Sequence, residues 1–368
     1  MNLILNILIF LKIEIGEVPQ NVQDKFIPEP NLKVEIWVKN LEIPWSLIFL
    51  EDEKALVSER PGRIRLIEKG ILKDKPIKVI KEVHHSGEGG LMGLEKHPDF
   101  TEKPYIYAMY TYREKGEIKN KVVRFIFYKD SLNFDKVIID EIPGGKFHNG
   151  GRLKFGPDKM LYITTGETFK REIAQDLKNL GGKILRLTPE GEIPPDNPFK
   201  NSPIYSYGHR NPQGLAFYPE SGELFASEHG PSGEDGVYAH DEVNIIYKGG
   251  NYGWPLFVGK LSKKGYIDPL ILWKRTTPPA GMCFYKNFLF IATLRSEALI
   301  KIEIKKIEDS FKVINIERLF AEDYFNGKYG RLRDVVYHNG YLYVLTSNRD
   351  GRGKIKEGDD KILKIKIE

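Results

Sequence analysis

Residues 153–164 read LKFGPDKMLYIT, and the fold can be predicted from the pattern in this segment. The apolar segment Leu153-Lys154-Phe155 is followed by the turn residues 156–158 (GPD). A second segment, Leu161-Tyr162-Ile163-Thr164, then begins. Glycine permits positive φ angles and proline fixes φ, so these residues between two apolar segments favour a tight turn. The stretch therefore predicts two antiparallel strands joined by a short connection.

The second segment recurs six times along the chain, at intervals of 50 to 65 residues. Most copies are followed by a further apolar segment, such as Ile184-Leu185-Arg186-Leu187. Three or more strands per unit, repeated at this period with little helical pattern, are typical of a propeller. We therefore predict an all-β chain that forms a six-bladed β-propeller with four-stranded antiparallel blades. The six copies are Ala55-Leu56-Val57-Ser58, Tyr105-Ile106-Tyr107-Ala108, Leu161-Tyr162-Ile163-Thr164, Leu224-Phe225-Ala226-Ser227, Leu289-Phe290-Ile291-Ala292 and Leu342-Tyr343-Val344-Leu345.

The repeats predict one domain over residues 30–368, preceded by a leader over residues 1–29. The early segment Lys33–Val38 is expected to join the last repeat as its outer strand, which would close the ring and leave no exposed edge. Met1–Leu11 (MNLILNILIFL) is an apolar run about half as long as a membrane-spanning helix. It resembles the core of a secretory signal but lacks a basic n-region. We expect a periplasmic or extracellular protein with no stable membrane span, and leave a cytoplasmic location open.

Composition excludes several classes of protein. The 368 residues are 41% hydrophobic and 29% charged, which suits a buried core and not a disordered chain. Lys and Arg number 56 against 51 Asp and Glu, a net charge of +5 without a long basic run, so a nucleic-acid partner is disfavoured. The single Cys283 excludes an intrachain disulfide and a cysteine-rich zinc site. The richness in Lys, Glu and Ile is compatible with a thermophile, and the oligomeric state cannot be read from the sequence.

Polar residues suited to chemistry cluster where the innermost strand of a blade begins or where the second strand ends. Loops at equivalent positions of different blades meet around the axis of a propeller, so these residues are expected to share one pocket. His148 could act there as a base with Glu167 orienting its ring, or could be a structural histidine beside an unrelated carboxylate. The arginines could bind an anionic ligand through bidentate contacts, or form surface ion pairs. The cluster consists of Glu88, His148, Glu167, Arg210, Asn211, Arg295, Arg331 and Arg333.

A third group contains oxygen donors and glycine turns, in residues 230–235 (GPSGED), 241–244 (DEVN) and 249–255 (GGNYGWP). Carboxylates and main-chain carbonyls are the ligands that a hard cation such as Ca²⁺ prefers. The spacing does not match an EF-hand loop. Both a calcium site and an acidic loop with a glycine turn fit the residues.

Together these segments resemble the soluble glucose/sorbosone dehydrogenase family, especially its aldose sugar dehydrogenases that depend on pyrroloquinoline quinone (PQQ). The likeness extends over most of the chain from about Leu41 onward. Several long motifs in a fixed order are more specific than any one short pattern. The matching segments are 87–93 (GEGGLMG), 97–100 (HPDF), 148–158 (HNGGRLKFGPD), 207–214 (YGHRNPQG), 227–231 (SEHGP) and 241–255 (DEVNIIYKGGNYGWP).

The resemblance implies a six-bladed propeller that binds PQQ and Ca²⁺ and oxidises an aldose sugar at C1 to an aldonolactone. It implies that His148 is the general base with Glu167 as its partner, that hydride passes to PQQ, and that electrons then pass to an external acceptor. It implies two calcium sites, one using the carbonyls of Gly230 and Pro231 and the other using Glu242 and the Tyr252 carbonyl. The residues it assigns to PQQ binding are Glu88, His148, Arg210, Asn211, Arg295, Arg331 and Arg333.

Three positions depart from the pattern of the family. Glu88 stands where members often carry Gln, and Arg295 stands where the glucose-specific branch has Lys. Phe147 replaces an Asp of that branch, which favours a broad aldose specificity. Two other functions fit a propeller: a calcium-dependent, lactonase-like hydrolase, because propellers host that chemistry too, and a non-catalytic binding propeller. Arginines outnumber carboxylates near the predicted axis, which favours a quinone over the metal-bound water of a hydrolase. The presence of His148 together with Arg210, Arg331 and Arg333 argues against a non-catalytic binding propeller.

Overall fold

Six mainly antiparallel sheets follow one another along the chain in the computed structural model, which describes residues 12–367. We number them blades 1 to 6, with the strands of each blade given from the axis outward. Blade 1 contains Pro44–Glu51, Lys54–Glu59, Arg63–Glu68 and the short outer strands Ile71–Leu72 and Lys78–Val79. Blade 2 contains Leu91–Lys96, Tyr105–Glu114, Glu117–Tyr128 and Ser131–Pro143. Blade 3 contains Leu153–Phe155, Leu161–Thr165, Lys183–Leu187 and Ile204–Tyr207.

The second half of the ring repeats this arrangement. Blade 4 contains Pro212–Phe217, Leu224–Glu228, Asp241–Ile246 and Ile271–Trp273. Blade 5 contains Pro279–Tyr285, Phe288–Thr293, Leu299–Ile307, Ser310–Leu319 and Asp24–Ile27. Blade 6 contains Leu332–His338, Tyr341–Thr346, Ile362–Lys366 and Val34–Val38. Outside the blades, Glu14–Ile15 pairs with Phe257–Val258 and Ala321–Asp323 with Asn326–Gly327, while Arg171–Ala174 and Glu234–Gly236 form 3-10 turns.

The predicted six-bladed β-propeller is confirmed, and each of the six recurring segments forms the second strand of a blade. The innermost strands contact one another in a closed ring, from blade 1 round to blade 6 and back. The second strands are buried on both faces because neighbouring blades pack against each side, which is why segments such as Leu161–Thr165 are nearly continuously apolar rather than alternating. Six apolar clusters fill the six interfaces between adjacent blades.

The closure of the ring also follows the prediction. Val34–Val38 pairs antiparallel with Ile362–Lys366 and becomes the outer strand of blade 6. Next to it, Leu41 and Asp360 exchange two main-chain hydrogen bonds of 2.9 and 3.0 Å, which tie the two ends of the ring together. No helix within residues 12–367 is long and apolar enough to cross a membrane.

The propeller begins earlier than residue 30, which corrects the expected boundary. Asp24–Ile27 runs parallel to Ser310–Leu319 and gives blade 5 a fifth strand, so this blade departs from the four-stranded antiparallel pattern. The Asp24 carboxylate forms a 2.5 Å ion pair with Arg318, whose side chain is fully buried. The Gln20 amide exchanges hydrogen bonds of 2.8 and 3.1 Å with the Leu272 main chain. Asp24–Ile27 is too short for its alternation of polar and apolar residues to predict a strand from the sequence. The signal-like segment Met1–Leu11 lies outside the described residues.

Candidate active site

His148 and Glu167 meet at the end of the axis where the innermost strands begin. His148 lies in the loop that leads into the inner strand of blade 3, and Glu167 follows the second strand of the same blade. The His148 ring Nδ1 is hydrogen-bonded to Glu167 Oε1. Because a carboxylate only accepts, Nδ1 carries the hydrogen, and in the neutral ring Nε2 is left with a lone pair. Both residues are buried, with His148 5% and Glu167 1% exposed.

The backbone around this pair explains the glycines beside it. His148 has a φ of 54°, which is uncommon for a residue with a side chain. A Cβ on Gly166 would overlap the carbonyl oxygen of His148, so only glycine allows the two loops to approach this closely. Asn211 Oδ1 accepts a 3.0 Å hydrogen bond from the Gly150 N–H and fixes the same loop from blade 4.

Glu88 links the histidine loop to a loop of blade 6. Its Oε2 accepts a 3.2 Å hydrogen bond from the His148 N–H, and its Oε1 accepts a 2.9 Å hydrogen bond from Arg352. Burial acts to raise the pKa of Glu88, but His229, His148 and Arg352 outweigh burial and lower that pKa to about 2. Glu88 is therefore an ionised carboxylate next to the histidine at neutral pH.

Three buried arginines from blades 1 and 6 form a cationic cluster near this end of the axis. Burial and then the charges of Arg60 and Arg331 lower the pKa of Arg333 to about 9. Burial also lowers the pKa of Arg60, with further lowering from Arg352 and Arg331. The Nε atoms of Arg60 and Arg333 are buried and have no hydrogen-bond partner among the described residues. The cluster therefore holds more positive charge and more donors than the surrounding protein satisfies.

Asp350 and Gln213 accept hydrogen bonds from two of these arginines. Arg331 donates to Asp350 Oδ2 from Nε at 2.9 Å and from Nη2 at 2.7 Å. Arg333 donates from Nη1 to Gln213 Oε1 at 2.6 Å, which is a neutral acceptor. Arg60 and Arg333 are thus the members of the cluster with a donor left over and no carboxylate hydrogen-bond partner in the described part of the chain.

Arg210 is buried beside the cluster but is already paired. Its Nε and Nη2 donate to Glu234 Oε1 at 3.0 and 2.6 Å, and its guanidinium lies 5.4 Å from the Trp254 ring centroid.

Arg295 is exposed on the loop after the second strand of blade 5. Its guanidinium lies 5.3 Å from the Phe325 ring centroid, and no described contact joins it to His148 or to the buried arginines.

His229, within the motif 227–231 (SEHGP), is a further site residue that is not among those predicted from the sequence. Burial, together with Arg333 and Arg210, lowers the pKa of His229 to about 3, although Glu88 acts to raise it. The ring is therefore neutral at pH 7. Its Nδ1 is 3.5 Å from Asn211 Nδ2, and its buried Nε2 has no hydrogen-bond partner among the residues described.

A second group of predicted residues lies between blade 4 and the following loop. Glu242 is 9% exposed, and its Oε1 accepts a 3.0 Å hydrogen bond from the Gly259 N–H. Burial, and then the nearby Glu228, raise the pKa of Glu242 to about 8. A small cavity of about 10 Å³ touches both carboxylate residues and Tyr252.

The adjoining turn, 229–240, brings main-chain carbonyls close together. The Gly230 N–H donates to Asp241 Oδ1 at 3.1 Å, and a Cβ on Gly230 would overlap the carbonyl oxygens of Ala239 and His240. Pro231 follows in the same turn and is buried. Within residues 12–367, no three His, Cys, Asp or Glu side chains gather into a metal-ligand cluster.

The fold and this site define a six-bladed β-propeller with a buried histidine–carboxylate pair and an arginine cluster at one end of its axis. The family model described as glucose/sorbosone dehydrogenase matches residues 41–357. The aldose sugar dehydrogenase of Escherichia coli is 34% identical over 355 residues, which cover 87% of this chain and 91% of that protein.

Two solved structures are similar over nearly their whole length. A protein of Thermus thermophilus, described as an oxidoreductase (glucose dehydrogenase), shares 48% identity with a TM-score of 0.84, covering 91% of this chain and all of its own. The PQQ-bound aldose sugar dehydrogenase of Streptomyces coelicolor shares 37% identity with a TM-score of 0.79, covering 92% of this chain and 99% of its own. The chain belongs to the glucose/sorbosone dehydrogenase family, as the sequence motifs predict.

Proposed function

We propose that this protein is a PQQ- and Ca²⁺-dependent aldose sugar dehydrogenase that oxidises C1 of an aldose to an aldonolactone. The observation that carries the proposal is the buried His148–Glu167 pair beside three buried arginines. The printed descriptions of the Escherichia coli and Streptomyces relatives support the activity and the quinone. The electrons would pass to an external acceptor. The proposed location is the periplasm or the extracellular medium.

The arginine cluster fits a quinone that carries carboxylates. Arg60, Arg331 and Arg333 lie close enough to repel one another, and two of their Nε donors have no partner in the described residues. A bound polyanion would supply acceptors and would offset the burial and the repulsion that together lower the pKa of Arg333. Glu88, Asn211 and His148 would border the ligand, whereas Arg210 would need to leave Glu234 or bind through its remaining donors.

Arg295 is proposed to lie at the edge of the substrate pocket and not in direct contact with the quinone. Its side chain is exposed, and its described contact is with Phe325. A long, exposed cation on a loop beside the pocket can reach a sugar hydroxyl or an incoming acceptor. This placement differs from the quinone contact that the family resemblance implies.

The donors around blade 4 fit calcium. Glu242 and Glu228 are two buried carboxylates without a described cation between them, and this raises the pKa of Glu242. The buried Asn244 Oδ1 lacks a partner among residues 12–367. Oxygen ligands with excess negative charge are what Ca²⁺ prefers. Glu242 and the Tyr252 carbonyl would hold one ion, and the carbonyls of Gly230 and Pro231 would hold the other beside the quinone.

The residues of the chain then perform general-base chemistry. When bound, PQQ supplies the two-electron acceptor for the hydride that leaves C1 of the sugar. His148 accepts the proton of the C1 hydroxyl at Nε2, the nitrogen that is not hydrogen-bonded to Glu167. Glu167 holds the ring in this tautomer and stabilises the imidazolium that forms. Glu88 holds the His148 main chain and places a negative charge beside it.

The proposal is tested by dye reduction with glucose and a panel of other aldoses after incubation with PQQ and Ca²⁺. Activity that requires both additions is the expected result, and a chelator control should abolish it. No dye reduction, with hydrolysis of an added lactone instead, would replace the proposal with the hydrolase. Neither activity, and no binding of PQQ, would favour a non-catalytic propeller.

A further inference from the structure

The backbone after Glu167 is held in an uncommon conformation. Thr168 and Phe169 have φ angles of 54° and 62°, which are unfavourable for residues with a Cβ, above all for a bulky aromatic. Two hydrogen bonds maintain this turn: the Thr168 N–H donates to the His148 carbonyl, and the Phe169 N–H donates to Glu167 Oε1, both at 3.2 Å. Strained backbone persists where surrounding contacts hold it, and such positions concentrate at functional sites.

The turn places the Phe169 ring against the imidazole of His148. The two ring centroids are 4.0 Å apart with an angle of 31° between the planes. Phe147 packs edge-on against the Phe169 ring, with centroids 5.7 Å apart at 90°. Phe169 is nevertheless 54% exposed, so burial of its own surface gives only part of the reason for a large apolar side chain here.

Phe169 thus contacts both members of the pair. Its N–H donates to the same Glu167 oxygen that accepts from His148 Nδ1, and its ring covers one face of the imidazole. We infer that Phe169 is a positioning residue that fixes the plane of His148 and shields one face of it from water. This inference rests on the proposed function, in which His148 is the base.

Positioning has a defined physical consequence. The hydrogen bond to Glu167 fixes one atom of the imidazole but still allows the ring to tilt about that bond. A flat ring packed on the imidazole face opposes this tilt and keeps Nε2 directed at the substrate. Misplacement of a reacting group by about 1 Å costs about 100-fold in rate. The Phe169 ring should therefore act on kcat rather than on KM.

The test compares Phe169→Ala with Phe169→Tyr, which retains a flat ring, and with Phe134→Ala as the control. Phe134 is 57% exposed on the outer strand of blade 2 and contacts Phe125 instead of the site. We expect kcat of Phe169→Ala to fall about 10- to 100-fold with KM little changed. Phe169→Tyr should restore most of kcat, and Phe134→Ala should match the wild type.

A second readout does not depend on turnover. Diethyl pyrocarbonate labelling of His148, followed by peptide mass spectrometry on the full chain without added PQQ, should speed up severalfold in Phe169→Ala. It should not change in Phe169→Tyr or Phe134→Ala. A rise in KM at unchanged kcat would overturn the inference, because the ring would then bind sugar. Unchanged kcat and unchanged labelling would overturn it as well. A wild type without sugar oxidation would overturn the proposed function instead, and the labelling would still decide whether Phe169 holds the ring.

Discussion

The Nδ1–H of His148 is hydrogen-bonded to Oε1 of Glu167, and this contact joins the loop before blade 3 to the loop after its second strand. The contact decides which ring nitrogen can accept a proton from a substrate, because it commits Nδ1 to the carboxylate. It also makes Glu167 part of the site although the carboxylate is 1% exposed. Proton transfer in the proposed reaction therefore depends on both residues.

Glu167→Gln should lower kcat about 100-fold, since an amide neither fixes the tautomer nor stabilises an imidazolium, while general-base catalysis contributes factors of this size. Steady-state kinetics on the PQQ- and Ca²⁺-loaded protein measure the change. The fold and the affinity for PQQ should remain, as circular dichroism and absorbance titration can check. Equal kcat in the variant and the wild type would contradict the role of the pair.

Arg333→Met should weaken PQQ binding while leaving the free protein at least as stable. The lost contact with an anion corresponds to about 2–5 kcal/mol of binding free energy. Arg333 is a buried cation that Arg60 and Arg331 repel. Replacing it by an apolar side chain of similar length removes the free-energy cost of burying this charge.

Titration of PQQ absorbance and thermal unfolding without cofactor measure both effects of Arg333→Met. Arg113→Met, at an exposed position of blade 2, is the matched control. Tight PQQ binding by Arg333→Met would show that the cluster serves another purpose.

Glu88→Gln should lower stability at neutral pH but not in acid. The pKa of Glu88 in the folded protein is about 2, below its ordinary value of 4.5, so its ionised form stabilises the fold above pH 4.5. This contribution is lost as the pH falls from 4.5 towards 2. His229, His148 and Arg352 lower this pKa, in that order, and we expect a difference of about 1–3 kcal/mol at pH 7.

Urea unfolding of Glu88→Gln and the wild type at pH 7, 5 and 3 tests the sign of this dependence. The difference in unfolding free energy should narrow between pH 5 and pH 3. A difference that stays constant over this range would exclude an ionised, stabilising Glu88.

Asp24→Ala should destabilise the propeller by about 3–5 kcal/mol, because it leaves the fully buried Arg318 without its carboxylate. Glu29→Ala is the matched control: Glu29 is 75% exposed and pairs with the half-exposed Lys328, so its loss should leave the free energy of unfolding nearly unchanged. Urea unfolding of both variants measures the contrast. Equal, small effects would mean that the N-terminal strand is not an integral part of blade 5.

The ring of blades could be predicted from the sequence because each blade repeats one local pattern. The second strands could be found without knowing their partners, since packing between two blades demands continuous apolar residues such as those of Leu161–Thr165. The strand Asp24–Ile27 could not be found in this way. It depends on a parallel pairing with residues almost 300 positions away and on the ion pair with Arg318.

The site was predicted in part for the same reason. His148 and Glu167 lie at positions of the repeat whose loops meet at the axis. These positions are enough to predict that the two side chains lie close together. Arg60 and His229 follow second strands just as Glu167 does, and this signal could have identified them. Arg210 and Arg295 show what the repeat cannot predict. The position of an arginine within the repeat predicts where its loop lies, but it does not predict which group the long side chain contacts. Glu234 binds Arg210, and Arg295 extends over Phe325.

A single-turnover experiment without an electron acceptor tests the assignment of His148 as the base of a quinone-dependent oxidation. PQQ- and Ca²⁺-loaded protein is mixed with excess glucose under anaerobic conditions, and the absorbance of the oxidised quinone is followed. We predict that the wild type loses this absorbance for one equivalent of quinone per protein. His148→Ala should bind the quinone equally well but lose the absorbance about 100- to 10,000-fold more slowly. A wild type that binds the quinone yet leaves it oxidised with every aldose tested, or a His148→Ala variant as fast as the wild type, would contradict the assignment.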